Sequence, residues 1–286
     1  FLPSFHDVFP RFIAGNRQKS LKSLSITHTI YETTGVKDYW ENPGEDWYHG
    51  TRMIPSFITG DFYTKLYIYP NASSSSLAID IELFDSLGDK LGLIKDAANI
   101  ESPNGVICCL DIKSLTELKS INSENVTGVR IIARPLNSSK MPARLSMCLD
   151  IGKNGGSGTL PTNISFSLTS PSKDRESRGT FRWGPLLEGK HAAYLSISNS
   201  SGLINKGKSA QALIKIYRKK DDSIWEKKYT IPNHGNILLE VKKDSEIYEF
   251  LEGDIGWYTI SADNANLDTW YFVQDKSGMM GGDHGF

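Results

Sequence analysis

The stretch Leu77-Ala-Ile-Asp-Ile-Glu-Leu-Phe-Asp-Ser-Leu-Gly-Asp89 decides how the chain is read. Apolar residues fall at Leu77, Ile79, Ile81 and Leu83, with small or polar residues between them. A period of two is that of a strand with one face buried, because successive side chains leave on opposite faces. The run ends on Phe84 and breaks into Asp85-Ser-Leu-Gly-Asp89, which carries hairpin-turn chemistry. A second stretch, Ala212-Leu-Ile-Lys-Ile-Tyr-Arg-Lys-Lys-Asp-Asp222, alternates in the same way, ends on an aromatic residue and breaks again into a turn.

The order of elements around the two copies also repeats. Strands are expected at 25–32, 62–69, 77–84, 90–95, 106–112, 129–133 and 143–149, with a helical turn at 115–121. The second set is expected at 181–183, 193–198, 212–217, 225–231, 237–241, 256–261 and 268–273, with a helical turn at 247–251. Gly105-Val-Ile-Cys-Cys-Leu110 aligns with Gly235-Asn-Ile-Leu-Leu-Glu240, and Gly128-Val-Arg-Ile-Ile132 with Gly256-Trp-Tyr-Thr-Ile260. Short strands, turn residues between them and no long helical period predict an all-β protein of two tandem antiparallel β-sandwich domains related by an internal repeat. The expected division is an N-terminal arm over 1–25, a first sandwich over 26–152, a Gly-rich linker over 153–159 and a second sandwich over 160–286. Trp and Tyr residues at comparable ends of each unit predict that the two pack together. The order of turn, apolar strand, Asp-x-x-Gly-Asp hairpin, return strand and Pro-x-Gly turn resembles the Ig-like modules of bacterial envelope and surface proteins. That resemblance implies a scaffold or binding module and names no particular family.

Charge and hydropathy exclude little but direct attention elsewhere. The 286 residues carry a net charge of −1, which gives no electrostatic case for nucleic acid or an anionic membrane surface. No window reaches the roughly 18 uninterrupted apolar residues that a spanning helix needs, so no membrane span is expected. Phe1 to Pro10 lacks the pattern of a signal peptide. The compartment is therefore open: cytoplasmic or, with a leader removed, envelope or secreted. Cys108, Cys109 and Cys148 are odd in number, and an adjacent pair on a strand points two ways, so they read as free thiols.

No nucleotide loop, zinc-protease motif, nucleophile elbow or paired Cys-x-x-Cys is present, and the expectation leans away from catalysis. The favoured reading is a non-catalytic structural or ligand-binding protein with a glycan or protein partner. Its candidate ligand-binding residues are Tyr39, Trp40, Trp47 and Tyr48, in a loop that also holds Asp38, Glu41, Glu45 and Asp46. Sugar rings stack on aromatic faces while carboxylates accept their hydroxyl protons. An alternative is a metal-binding protein or metal-dependent enzyme holding a divalent ion on His28, His49, Asp283 and His284, the last two in a Gly-rich end. No other cofactor is expected. A third reading is an assembly subunit, a homo-oligomer whose exposed strands add to a partner's sheet. The lysines of 206–228, interleaved with Asp221, Asp222 and Glu226, read as a charged edge that guards a sheet.

Overall fold

A computed structural model describes residues 13–18, 23–28, 39–41, 50–69, 76–101, 106–136, 140–142, 145–154, 162–168, 179–188, 192–200, 208–275 and 280–286. Three short strands lie N-terminal: β1 (Ile13–Gln18), β2 (Ser23–His28) and β3 (Tyr39–Glu41). There follow β4 (Gly50–Pro55), β5 (Phe62–Ile68), β6 (Leu77–Phe84), β7 (Lys90–Ile100), β8 (Cys108–Asp111), helix α1 (Ile112–Leu118), β9 (Gly128–Pro135), β10 (Lys140–Pro142), β11 (Leu145–Lys153) and β12 (Ile164–Leu168). The second half comprises β13 (Thr180–Glu188), β14 (Ala192–Asn199), β15 (Ala210–Arg218), β16 (Ile224–Ile231), β17 (Asn236–Glu240), helix α2 (Ser245–Leu251), β18 (Ile255–Ala262), β19 (Leu267–Gln274) and β20 (Met280–His284).

The strands build four antiparallel four-stranded sheets, β4-β9-β6-β7 and β12-β11-β5-β8 in the first half, β13-β18-β15-β16 and β17-β14-β19-β20 in the second. Reading the last sheet from its other end gives β20-β19-β14-β17, so the two halves have the same order strand for strand. The repeat therefore extends from sequence to topology. Each helix follows the fourth strand counterpart, β8 or β17, and starts on an aspartate cap: Asp111 accepts from the Ser114 amide and Asp244 from the Ile247 amide. Such caps stabilise a helix end by about 1 kcal/mol. Ile112 and Thr116 in α1, and Ile247 and Leu251 in α2, fall four apart on the buried side.

The quoted alternation plays out as expected in β6, where Leu77, Ile79, Ile81 and Leu83 join the first core with Leu66, Val129, Ile131 and Leu149. Ala212, Ile214 and Ile216 of β15 join the second core with Leu195, Tyr258 and Ile260. Two differences from the local sequence pattern emerge. The Gly-rich segment starting at Gly152 lies between β11 and β12, which pair with each other in one sheet, so the first pair of sheets reaches Leu168. The second difference is one of register. Phe84 faces Gly128 across β6 and β9, while Tyr217 faces Trp257 across β15 and β18. The structural counterpart of Gly128 is thus Trp257 and not Gly256. A slip of one residue reverses which side chains point outward.

The two halves are packed into one another. In β19, Tyr271 and Val273 pack on the second core, whereas Trp270 and Phe272, joined by Tyr194 and Met280, enter the first. Trp270 meets Phe166 edge-on at 5.4 Å between centroids, and Phe57 meets Phe272 at 5.2 Å and Tyr194 at 5.6 Å. The Arg52 guanidinium lies 5.1 Å from the Trp270 ring, and its Nε is 3.3 Å from Asp268 Oδ1. The Met53 amide donates to Asp268 Oδ2 at 2.9 Å, and Trp270 Nε1 donates to the Met53 carbonyl at 3.1 Å. A second contact joins two turns. The Asn236 amide donates to the Ser86 carbonyl at 3.1 Å, and Gly88, at φ +86°, backs onto Asn233 and Gly235. His234 packs on Phe84 at 4.8 Å, with its Nε2 3.4 Å from Arg130 Nη1.

Candidate functional site

Among the described residues, the outward face of the sheet β13-β18-β15-β16 carries a group of exposed aromatic side chains. Its second strand partner pairs put Phe181 beside Ser261 and Trp183 beside Thr259, while Leu213 lies beside Ser261, Lys215 beside Thr259 and Tyr217 beside Trp257. These residues all leave on the side away from the core, because their neighbours Thr180, Ile214, Ile216, Tyr258 and Ile260 are buried. Phe181 is 62% exposed, Trp183 48% and Trp257 41%. Trp257 and Tyr217 stack in parallel, 3.9 Å between centroids and 7° between planes. The stack holds the two rings against each other. Trp183 is supported from the side by Phe286, 5.4 Å away, whose backbone exchanges hydrogen bonds of 2.9 and 3.0 Å with that of Trp183.

Polar groups stand among the rings. Lys215 Nζ lies 3.0 Å from Glu226 Oε2, and its hydrogen bond to that carboxylate raises the lysine above its ordinary range. Thr230 donates to Gln211 Oε1 at 3.1 Å. The edge strand β16 also presents Ile224, 53% exposed, beyond Tyr217. The same side of the first sandwich has another character. There Arg134 bonds both Asp80 and Asp96, Lys90 and Arg130 lie against Glu82, and Met53 and Gly128 take the places of Trp183 and Trp257. One face of the repeat is closed by ion pairs and the other is covered with rings. The charged-edge expectation agrees with β16 and its surroundings, where Lys227 pairs with Glu246 and Arg218 with Asp221 and Glu252.

A second polar cluster lies on the outer face of β12-β11-β5-β8, where Cys148, Asp150, Asn163, Lys65, Tyr67 and Tyr69 gather. Cys148 Sγ donates to Asp150 Oδ1 at 3.4 Å and to Asn163 Oδ1 at 3.3 Å. Burial pushes the Cys148 thiol up to about 12, with the Asp150 carboxylate adding to the rise. Burial also raises Asp150 to about 6, against the opposing pull of Cys148 and Lys65. A thiol held protonated at neutral pH is not an activated nucleophile. The cluster forms a largely buried hydrogen-bond network.

The residues proposed from sequence are distributed as follows. Tyr39 and Trp40 lie in β3, which pairs with β10 through Tyr39 opposite Pro142 and Trp40 opposite Met141. His28 ends β2, opposite Ile13 of β1. Trp47, Tyr48 and His49 lie outside the described residues. Asp283 and His284 sit in β20 opposite Tyr271 and Trp270. The His284 amide donates to Asp283 Oδ1 at 2.8 Å, and the imidazole lies 6.3 Å from the Trp270 ring and 5.1 Å from Phe286. Among the described residues, no three His, Cys, Asp or Glu side chains converge as a metal site would require. No helix of the described residues is long and apolar enough to cross a membrane. Sequence reasoning missed the aromatic face of β13 and β18. Its trace is Phe181-Arg-Trp183, large rings two apart, together with Trp257.

No protein family and no curated protein matches the chain. Solved structures give loose likenesses only. A β-glucuronidase of Bacteroides uniformis is similar at 12% identity with a TM-score of 0.22, covering 88% of this chain and 27% of that one. The BSP domain of a biofilm-associated protein is similar at 8% identity and a TM-score of 0.27, covering 86% and 58%. The pilus backbone of Streptococcus pneumoniae is similar at 10% identity and a TM-score of 0.19, covering 96% and 92%. This chain thus spans about a quarter of the glucuronidase and somewhat over half of the BSP-domain chain. Superpositions this loose carry no functional argument, and the reading below rests on the residues.

Proposed function

We propose that this protein is a non-catalytic β-sandwich module that binds a carbohydrate on the outward face of β13, β18 and β15. The observation that carries the reading is the group Phe181, Trp183 and Trp257, large rings held side by side in solvent on one rigid sheet. Apolar surface of this size and continuity on one face points to a partner. Sugars fit it, since their ring C–H faces cover aromatic carbons while their hydroxyls reach polar neighbours such as Ser261. The sheet needs no rearrangement to present the rings, which keeps the entropic cost of binding low. The loop residues Tyr39, Trp40, Trp47 and Tyr48 are proposed as a further contact for the same ligand class.

The test is titration calorimetry against a panel of soluble polysaccharides, with Trp257→Ala and Trp40→Ala beside the unaltered protein. Trp257 points away from the core but stacks on Tyr217, so its truncation should abolish binding while lowering the unfolding midpoint by only a few degrees. If no polysaccharide binds, and the protein sediments as a dimer that Trp257→Ala makes monomeric, the face is a contact between copies and the carbohydrate reading fails.

A further inference from the structure

Resting on the carbohydrate reading above, we propose that the ligand is an extended, uncharged polysaccharide chain, lying obliquely across β13, β18 and β15, rather than a single sugar or an acidic glycan.

The length follows from the strand register. Phe181 pairs with Ser261, and Trp257, four residues along β18 from Ser261, pairs with Tyr217 of β15. With strands about 4.8 Å apart and about 3.4 Å per residue, Phe181 and Tyr217 are separated by about 17 Å, and Trp183 and Trp257 stand between them in a bent row that runs along β13 and then crosses to β15. That distance exceeds any one sugar ring. The rings are spread in a bent row over the sheet, so a ligand that touches them all must itself be long.

The charge follows from the groups beside that line. Lys215 and Glu226 lie 3.0 Å apart and neutralise each other. Among the described residues, the other polar groups beside the rings, Ser261 and the largely buried Thr259, are uncharged. Lys228 stands opposite Leu213 on the edge strand, away from Trp183 and Trp257. Recognition of carboxylate or sulfate groups along a chain calls for cations repeated beside the rings, preferably in the paired geometry of arginine. Among the described residues, the aromatic row offers no such cation beyond Lys215, which Glu226 holds. Hydroxyl-bearing chains with neutral rings match hydroxyl neighbours and gain from burying the aromatic faces.

The experiment measures the affinity of the full chain for neutral oligosaccharides from one to six units, and for uronate-containing counterparts of equal length, between roughly 0.05 and 0.5 M salt. Affinity for the neutral series should rise at least roughly tenfold from monosaccharide to hexasaccharide and change little with salt. Phe181→Ala should weaken the hexasaccharide and leave the trisaccharide as it was, because Phe181 is the outer end of the line. Trp257→Ala should weaken both. A monosaccharide that binds as tightly as the hexasaccharide would overturn the extended-chain inference. Binding confined to the acidic series, falling as salt rises, would overturn the neutral-chain inference while leaving the carbohydrate reading in place. Failure of every sugar at every length would instead remove the carbohydrate reading itself.

Discussion

Replacing Trp270 by alanine should destabilise the first sandwich, although Trp270 belongs to a strand of the second. Its side chain is fully buried and is counted in the first core through Phe166 and Met53. A tryptophan covers about 150–250 Å², which at about 25 cal/mol per Å² gives roughly 4–6 kcal/mol as an upper bound on lost burial. Measured Trp→Ala truncations in cores cost about 3–5 kcal/mol. Deleting Nε1 also leaves the Met53 carbonyl without its donor and strips the aromatic face from beneath Arg52. A loss of about 4 kcal/mol is therefore expected, or a fall in Tm of about 8–16 °C for a domain of this size. Trp270→Phe keeps most of the area and should cost only about 1–2 kcal/mol, largely for the unsatisfied carbonyl. A single-thiol background, Cys108→Ser with Cys109→Ser, leaves buried Cys148 as a reporter within the first sandwich. Urea-dependent labelling of Cys148 then follows the first sandwich alone. If Trp270→Ala leaves the urea midpoint of Cys148 labelling where it was, Trp270 does not close the first core and the account of the junction is wrong.

Three further outcomes can be checked. Gly88→Ala should destabilise the protein by about 2 kcal/mol or more, because φ is +86° and a Cβ would overlap the Asn233 carbonyl oxygen; Gly60→Ala, at φ +57° with open space around it, should cost only about 1 kcal/mol. Paired thermal melts decide between these values, and equal losses would show that the turns are not pressed together. His234 is held down to about 4 by burial and then by Arg130, so between pH 6.5 and 4 the unfolded chain binds the extra proton and stability falls with acid. After discounting for its partial exposure, the loss should be about 1–2 kcal/mol, and His234→Asn, which tolerates the positive φ of this turn, should flatten that part of the pH–stability curve. Asp150 acts with the opposite sign. Raised to about 6, its stabilising contribution is fully present below the unfolded carboxylate value near 4 and disappears as pH rises through 6. Asp150→Asn should thus raise stability at pH 8 by about 1–2 kcal/mol and have little effect at pH 4, and a uniform change at both pH values would assign the effect to packing instead.

The amino-acid sequence by itself determined the strands and their repetition. Alternation in Leu77–Phe84 and Ala212–Tyr217 names the buried face of β6 and β15, and the matching turns carry the repeat through both halves. These signals are local, since they depend only on the pleat and on turn residues. The face of β18 was out by one residue, because the glycines at 128 and 256 align in sequence while the hydrogen-bond register pairs Tyr217 with Trp257. Register is fixed by a strand more than thirty residues away, which no local pattern contains. Asp268-Thr-Trp-Tyr-Phe-Val273 shows no clear alternation, and the tertiary structure gives the reason: Trp270 and Phe272 fill the first core while Tyr271 and Val273 face the second. A strand buried on both sides reads as continuously apolar. Whether a ring such as Trp257 is covered or left in solvent was decided only when the sheets closed, because burial depends on what the rest of the chain lays over each face and not on the residue that occupies it.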